Sequence, residues 1–259
     1  LLSGSNYDES YSKAVSITKK SSATMIHPFD DPLVIAGQGT IGLEILNSLK
    51  NVDVIIAPVG GGGLISGLAL ALKEKHPNIK IIGVQSSSMS SMLESKKNKK
   101  LTTVASRFTI ADGIDVKTPG ELTFKIIDKY VDDLVTVTDV QIAESMFMLL
   151  ERSRIVSEPA GAASLAALLS GQLKIKGKNV VSIISGGNVD MSLMNKLITR
   201  GLISEGRIIR FIVGLKDRPG ALREILSLIG SMNANILDIQ VDRFYKKIGL
   251  GPVEVLISL

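Results

Sequence analysis

The sequence predicts an α/β fold: an open, mostly parallel sheet with helices on both faces, followed by a smaller α+β unit. Over the first 200 residues, short apolar runs alternate with longer amphipathic or apolar stretches, which is the pattern of β-α-β units. At Gly201 the pattern changes to strand, helix, strand and strand. The chain has 259 residues, 45% of them hydrophobic, which is enough material for both cores.

Short apolar runs in the first part are the predicted strands: Leu33–Ala36, Val52–Ala57, Ile79–Val84, Leu134–Val137 and Val180–Ile184. The longer stretches are the predicted helices: Ile41–Leu49, Leu64–Lys75, Val140–Ser153, Ala160–Ser170 and Ser192–Thr199. Pro77 and Gly171 follow two of these helices, where stop signals are expected. In such a sheet, ligands are expected beyond the carboxyl ends of the strands.

The second part predicts one helix packed on a small sheet. Its predicted strands are Ile208–Val213, Leu237–Tyr245 and Val253–Leu259, the last two joined through 246–252. Between the first two lies a turn at 217–220 and a helix whose apolar residues Leu222, Ile225, Leu226 and Ile229 share one face. One helix would leave part of the sheet uncovered, so a second helix and a fourth strand are expected after Leu259.

Composition excludes several classes of function. Cys is absent and only His27 and His76 are present, so neither a disulfide framework nor a zinc site is expected. No apolar run approaches a membrane span, and the residues from Leu1 show no basic n-region or small-residue cleavage site. We therefore expect a cytoplasmic protein without a membrane partner. The net charge is +5, but the only run of basic residues, 96–100, has no interleaved aromatics. We interpret it as a solvated loop and expect no nucleic-acid partner.

A loop of four glycines, Gly60 to Gly63, follows a predicted strand and precedes a predicted helix. Unobstructed backbone N–H groups at a helix N-terminus bind a dianion, so the loop predicts a phosphate cradle. It is not a Walker loop, because Leu68 stands where that motif requires Lys. A tight strand-to-helix turn is the structural alternative.

Three further glycines, Gly37, Gly39 and Gly42, have the spacing of a dinucleotide fingerprint. The acidic residue that such a site needs at the end of the next strand is missing, because Asp53 lies at that strand's other end. Close packing of a helix on a strand is therefore the favoured interpretation.

Two more junctions carry polar groups to the same edge of the sheet. Ser185, Gly186, Gly187 and Asn188 follow the strand that ends at Ile184, and Glu158 precedes a helix. The structural alternative for the Ser185 segment is a capping turn. For Glu158 it is an acidic residue that stabilises the helix start.

Together these segments resemble the fold-type II pyridoxal-phosphate enzymes, whose sheet is like that of the tryptophan synthase β subunit. They resemble threonine dehydratases (threonine ammonia-lyases) and serine racemases most. The matching segments are AGQGTIGLEIL from Ala36, APVGGGGLISG from Ala57, IADGIDVKTPG from Ile110, SEPAGAA from Ser157 and SGGNVD from Ser185.

The resemblance implies a cofactor, pyridoxal 5′-phosphate, and roles for the loops described above. The glycines Gly60, Gly61, Gly62 and Gly63, with Leu64, would hold the phosphate. Ser185 would lie at the pyridine nitrogen with Gly186 and Asn188 in support, and Glu158 would lie near the ring and the substrate. A neutral hydroxyl at that nitrogen favours loss of a β-hydroxyl from L-threonine or L-serine over transamination. The implied products are 2-oxobutanoate or pyruvate, with ammonia.

The sequence departs from the family pattern in two places. The Ser-x-Lys-x-Arg-Gly segment with the Schiff-base lysine, and the loop for the substrate carboxylate, are N-terminal in the family and are not found in these residues. We therefore expect a fragment, in which 1–27 end the small domain, 28–200 form the large domain and 201–207 are a linker. Phe108 offers no acidic ligand, so we expect no divalent metal, while backbone carbonyls suit a monovalent cation.

Residues 208–259 resemble an ACT domain that is incomplete at its C-terminus. The resemblance implies an amino-acid effector near Asp217, Gly220, Ala221 and Leu222, and a homodimer or homotetramer. Serine racemase activity and a non-catalytic amino-acid-binding regulator on a lyase scaffold are the alternatives to the lyase. A role in isoleucine biosynthesis and one in threonine catabolism both stay open.

Overall fold

The computed structural model describes residues 2–4, 7–105, 107–242 and 253–259. They form two compact units, 1–190 and 191–259. The elements of the first unit are α1 (Tyr7–Thr18), α2 (Pro32–Ser48), β1 (Val54–Pro58), α3 (Gly63–Lys73), β2 (Lys80–Ser86), α4 (Ser91–Asn98), α5 (Glu121–Tyr130), β3 (Asp133–Val137), α6 (Asp139–Met148), α7 (Pro159–Leu169) and β4 (Val180–Ser182). A 3-10 turn lies at Asp112–Ile114, and a π-helical turn, Leu149–Ser153, extends α6.

The first unit is built on a parallel sheet with the strand order β3-β2-β1-β4. In the register, Ile56 of β1 lies opposite Ile82 of β2 and Ser182 of β4. All five residues of β1 are buried, as expected for a strand whose two faces are both covered. Four of the predicted strands are thus confirmed within a few residues.

Helices cover both faces of this sheet. Side chains alternate along β1, so Ile55 and Ala57 face the core shared with α2, α3 and α5. On the opposite face α7 packs across all four strands. α6 packs beside α7 and begins with a capping box in which Thr138 accepts from the Gln141 N–H. The predicted α/β architecture is confirmed.

The predicted strand Leu33–Ala36 is wrong, because these residues form the first turns of α2. Asp31 caps that helix, accepting from the N–H groups of Leu33 and Val34, and Pro32 occupies its first position. The glycines of the fingerprint-like spacing therefore lie inside a helix. A Cβ on Gly39 would lie 3.1 Å from the carbonyl oxygen of Gly67 in α3. The predicted close packing is thus present, but it joins two helices and not a helix and a strand.

The lysine-rich segment is also different from the predicted loop, because its first half belongs to α4. Lys96 is half-buried, and its ammonium donates to the carbonyls of Ile127 and Val131 where α5 ends. Burial lowers the pKa of Lys96 from its ordinary value. Helices α1, α4 and α5 were not predicted from the sequence.

The second unit contains α8 (Met191–Ser204), β5 (Arg210–Leu215), α9 (Ala221–Ser231), β6 (Asp238–Asp242) and β7 (Val253–Ser258). Its sheet is antiparallel with the order β5-β7-β6, and α9 packs on one face around Ile229, Val255 and Ile257. This is the predicted β-α-β-β unit. The predicted connection 246–252 and the end of the strand predicted to reach Tyr245 lie outside the described residues. Residues 201–204 of the predicted linker form the last turn of α8.

Candidate functional site

The glycine loop lies where β1 ends and α3 begins. Gly62 is the N-cap of α3, with a left-handed φ of +99°, and no side chain caps the helix there. The first N–H groups of an α-helix have no acceptor within the helix. Among the described residues, no group accepts from the N–H groups of Gly60, Gly61, Gly62, Gly63 or Leu64. These N–H groups are therefore unsatisfied within the described part of the chain, as expected of an anion-binding loop.

The loop must be glycine because its neighbours pack against the backbone itself. A Cβ on Gly61 would lie 2.4 Å from the ring carbons of Phe29, and one on Gly62 would lie 2.8 Å from Cδ1 of Ile127. A Cβ on Gly60 would lie 3.0 Å from the Cα of Ile114. Such distances leave no space for side chains, so the loop is a packed part of the fold.

The Ser185 loop follows β4, which is the neighbour of β1 in the sheet. Both loops therefore lie at the carboxyl ends of adjacent parallel strands. Gly186 has a φ of +67°, and a Cβ there would lie 2.3 Å from Oε1 of Glu158. A Cβ on Gly161, in the first turn of α7, would lie only 1.4 Å from the Ser185 carbonyl oxygen. The start of α7 thus rests directly on this loop.

Glu158 joins these segments. Its Oε2 accepts from the Asn188 N–H at 3.2 Å, and its own N–H donates to the Gly186 carbonyl at 3.2 Å. Oε1 lies 3.4 Å from where a Cβ on Gly113 would be, and the Gly113 carbonyl oxygen lies 3.2 Å from the corresponding position on Gly60. The structure therefore brings three predicted junctions, the glycine loop, Glu158 and the Ser185 loop, into one neighbourhood through Gly113.

Residues that the sequence did not single out also shape the site. The hydroxyl of Thr123 in α5 donates to the Gly61 carbonyl at 2.7 Å. Ser86, at the end of β2, donates to Thr109 at 3.0 Å, and Thr109 donates to Asp139 at 2.7 Å. The second carboxylate oxygen of Asp139 accepts from the Ile110 N–H, which holds the segment leading to Gly113. Only the three-dimensional fold brings these partners together.

Asp53, whose carboxyl pKa is lowered, lies away from the site, at the other end of the sheet. Asp53 precedes β1 and accepts from the Asn179 N–H at 2.8 Å, while Lys178 lies 3.6 Å away. The hydrogen bond from Asn179, helped by the charge of Lys178, lowers the pKa of Asp53. This contact joins the starts of β1 and β4, so it contributes to the strand pairing that aligns the two loops.

In the second unit, the four predicted effector residues line one cavity of about 500 Å³. Asp217, Gly220, Ala221 and Leu222 form its side next to the start of α9. Gly220 is the N-cap of α9, with φ +88° and no side-chain cap. Val241, Val253 and Val255 form an apolar part of the lining.

Within the described residues, no group of three or more His, Asp or Glu side chains is arranged to hold a metal ion. None of the described helices has the length and apolar character needed to cross a membrane.

Comparisons with known proteins place these two units among characterised families. Residues 1–186 match the family described as pyridoxal-phosphate dependent enzymes, and residues 209–257 match the ACT domain. An L-threonine ammonia-lyase of Thermotoga maritima is 44% identical over 259 residues, which are 100% of this chain and 64% of that protein. The chain therefore spans less than two thirds of this relative's length.

The solved structures that are similar to the chain include a threonine deaminase and a serine racemase. Threonine deaminase isoform 2 of Solanum lycopersicum, in its processed form, has a TM-score of 0.73 at 38% identity, covering 77% of this chain and 59% of that one. Maize serine racemase has a TM-score of 0.71 at 34% identity, covering 80% of this chain and 64% of that one.

Proposed function

The chain belongs to the family of pyridoxal-phosphate-dependent enzymes, and from this premise we propose that the complete protein is an L-threonine ammonia-lyase. It would convert L-threonine into 2-oxobutanoate and ammonia, and L-serine more slowly into pyruvate. The identity to a Thermotoga maritima L-threonine ammonia-lyase over the whole chain supports this substrate. The single observation that carries the proposal is the position of the glycine loop and the Ser185 loop at the ends of adjacent strands.

The residues present fit the cofactor. A phosphate ester is a dianion, and the N–H groups from Gly60 to Leu64 are donors at a helix N-terminus for which the described residues offer no acceptor. Gly62 has a left-handed backbone conformation that would cost free energy for any other residue, so this arrangement depends on the glycine. We propose that Gly60, Gly61, Gly62, Gly63 and Leu64 hold the cofactor phosphate.

Ser185 and Glu158 would act at the other end of the cofactor. When bound, pyridoxal phosphate supplies an electron-accepting ring that stabilises negative charge at the substrate Cα. The Ser185 hydroxyl would hydrogen-bond the ring nitrogen without holding a proton there, which favours elimination over transamination. Glu158, fixed by Asn188 and Gly186, would face the ring and the substrate. The Asn188 N–H would keep its carboxylate oriented.

The second unit would bind an amino-acid effector in the cavity beside α9. No side chain caps the start of α9 at Gly220, which suits a carboxylate, and Val241, Val253 and Val255 suit an aliphatic side chain. We propose isoleucine or valine as the effector, bound near Asp217, Ala221 and Leu222. Isothermal titration of the complete protein with both amino acids and with aspartate would test this: binding of aspartate alone would contradict it.

A cytoplasmic homodimer or homotetramer is the proposed assembly, and light scattering of the complete protein would distinguish these from a monomer. A monovalent cation on backbone carbonyls is part of the same proposal, which a comparison of activity in potassium and in tetramethylammonium buffers would test. We further propose that the catalytic domain spans 1–200 and the regulatory domain 208–259.

The experiment that tests the function is a steady-state assay of the complete protein with L-threonine, L-serine and D-serine. Formation of 2-oxobutanoate, with a higher kcat/KM for L-threonine than for L-serine, is the expected result. Serine racemase activity is the second candidate because of the similarity to the maize enzyme. Interconversion of L- and D-serine without 2-oxo acid formation would support it instead. Saturable binding of isoleucine with neither reaction would identify a non-catalytic regulator.

A further inference from the structure

Three residues outside the recognised motifs support the glycine loop, and we name them the brace: Phe29, Asp30 and Thr123. We propose that the brace is a positioning device for the phosphate site, in which Thr123 sets the direction of the Gly61–Gly62 peptide. This inference rests on the proposed function, because it assigns the ligand of that peptide as the cofactor phosphate.

Thr123 acts on the peptide through its carbonyl. The Thr123 hydroxyl donates to the Gly61 carbonyl oxygen at 2.7 Å, and both residues are buried. The Gly61–Gly62 peptide bond is trans, like every peptide bond of the described residues. In a trans peptide the C=O and the following N–H point in opposite directions. With its C=O held towards Thr123, the Gly62 N–H points to the opposite side of the loop, where the proposed phosphate would bind.

Asp30 fixes Thr123 in turn. The N-cap of α5 is Gly120, which has no side chain to cap the helix. Asp30 replaces that cap from 91 residues earlier in the chain, accepting from the Glu121 and Thr123 N–H groups at 2.9 Å each. A carboxylate at this position is favoured by the helix dipole. The first turn of α5 therefore keeps the Thr123 hydroxyl against the glycine loop.

Phe29 contacts the loop from another side. Its ring carbons lie 2.4 Å from where a Cβ on Gly61 would be, and its own backbone lies 3.1 Å from the corresponding position on Gly63. His27 holds this turn, because its Nδ1 accepts from the N–H groups of Phe29 and Asp30. Two consecutive residues thus support the loop by two routes, one by direct packing and one through α5.

The test compares the variants Thr123→Val and Thr123→Ser in the complete protein, freed of cofactor. Val keeps the shape of Thr but not the hydroxyl, whereas Ser keeps the hydroxyl. The dissociation constants of pyridoxal phosphate and of pyridoxal, which lacks the phosphate, are measured by equilibrium dialysis. Thr40→Val is the matched control, since the exposed Thr40 hydroxyl also donates to a glycine carbonyl, that of Gly37 within α2.

We expect Thr123→Val to raise the dissociation constant of pyridoxal phosphate about tenfold, which is the usual effect of losing one hydrogen bond. Pyridoxal affinity should change less than about twofold, Thr123→Ser should restore phosphate affinity, and the control should behave as the wild type. If Thr123→Val weakened the binding of both ligands equally, or of neither, the inference would be overturned while the proposed function stayed intact. A wild type that binds neither ligand would overturn both.

Asp30→Asn provides a second route should Thr123→Val fail to fold. Each carboxylate oxygen of Asp30 accepts from a different α5 N–H group, and Asn places an NH₂ group at one of these two positions. We therefore expect the same phosphate-selective weakening of binding, about threefold. An Asp30→Asn protein whose affinities for both ligands are unchanged would overturn the brace.

Discussion

Replacing Gly161 by Ala tests how closely α7 rests on the Ser185 loop. In an unhindered helix this change stabilises by roughly 0.5–1 kcal/mol, because Gly loses more backbone entropy on folding. In this protein the added Cβ would lie 1.4 Å from the Ser185 carbonyl oxygen. That atom belongs to the backbone, so the helix start and the loop must separate by well over an ångström.

Overpacking of this kind costs 1–3 kcal/mol and more when backbone has to move, so we expect a loss of about 3 kcal/mol for Gly161→Ala. For a chain of this size the Tm should fall by roughly 6–12 °C. Gly37→Ala is the matched control, because Gly37 lies in α2 with no atom within 4 Å of its would-be Cβ. That variant should be stabilised slightly.

Urea unfolding followed by far-ultraviolet circular dichroism measures both variants. We expect the free energy of unfolding to fall for Gly161→Ala and to rise slightly for Gly37→Ala. A folded Gly161→Ala protein as stable as the wild type, or more stable, would refute the contact between α7 and the Ser185 loop.

Three further predictions concern the stability effects of replacing Gly67, Asp53 and the half-buried Lys96. Gly67→Ala, whose Cβ would lie 2.3 Å from the Ile35 carbonyl oxygen, should destabilise the crossing of α2 and α3 by about 2 kcal/mol in the same urea assay. Asp53→Asn should be less stable than the wild type at neutral pH. Because the folded protein lowers the pKa of Asp53 below 3.8, this difference should disappear as the pH falls through the folded-state pKa. Lys96→Met, which removes the donor at the end of α5, should cost about 2 kcal/mol.

Each of these predictions has a contradicting result. Gly67→Ala should behave unlike Gly37→Ala, and equal stabilities of those two variants would count against close helix packing. A stability difference for Asp53→Asn that grows towards acid pH has the wrong sign for a lowered carboxyl pKa. Lys96→Met is compared with Lys97→Met, since Lys97 is exposed and pairs only with Glu94 among the described residues; equal effects would contradict the role of Lys96.

Local patterns predicted the parallel sheet and the glycine loop because the signal for each lies within a few residues. Apolar runs such as Val54–Pro58 lie between turn signals and so indicate strands. Consecutive glycines before a helix are typical of an anion-binding loop. Local patterns failed at Leu33–Ala36, where an apolar run with β-branched residues suits a strand and a packed helix equally well. Asp31 and Pro32 were the available signals for a helix start, and they mark it correctly.

The supports of the site were not predictable in this way. Thr123 lies 62 residues after Gly61, and Asp30 lies 91 residues before the N–H that it caps. Nothing in either local sequence indicates the partner, because the pairing is made only when α5 packs beside α3. The contact between Gly161 and the Ser185 carbonyl is hidden for the same reason.

The decisive measurement is a crystal structure of the complete protein with pyridoxal phosphate, which would give the distances from the phosphate oxygens to the backbone nitrogens of the glycine loop. We expect several of the nitrogens from Gly60 to Leu64 to lie about 2.7–3.2 Å from those oxygens, with Ser185 at the ring nitrogen. A phosphate bound elsewhere, or a loop that admits no anion beside Phe29, would contradict this expectation.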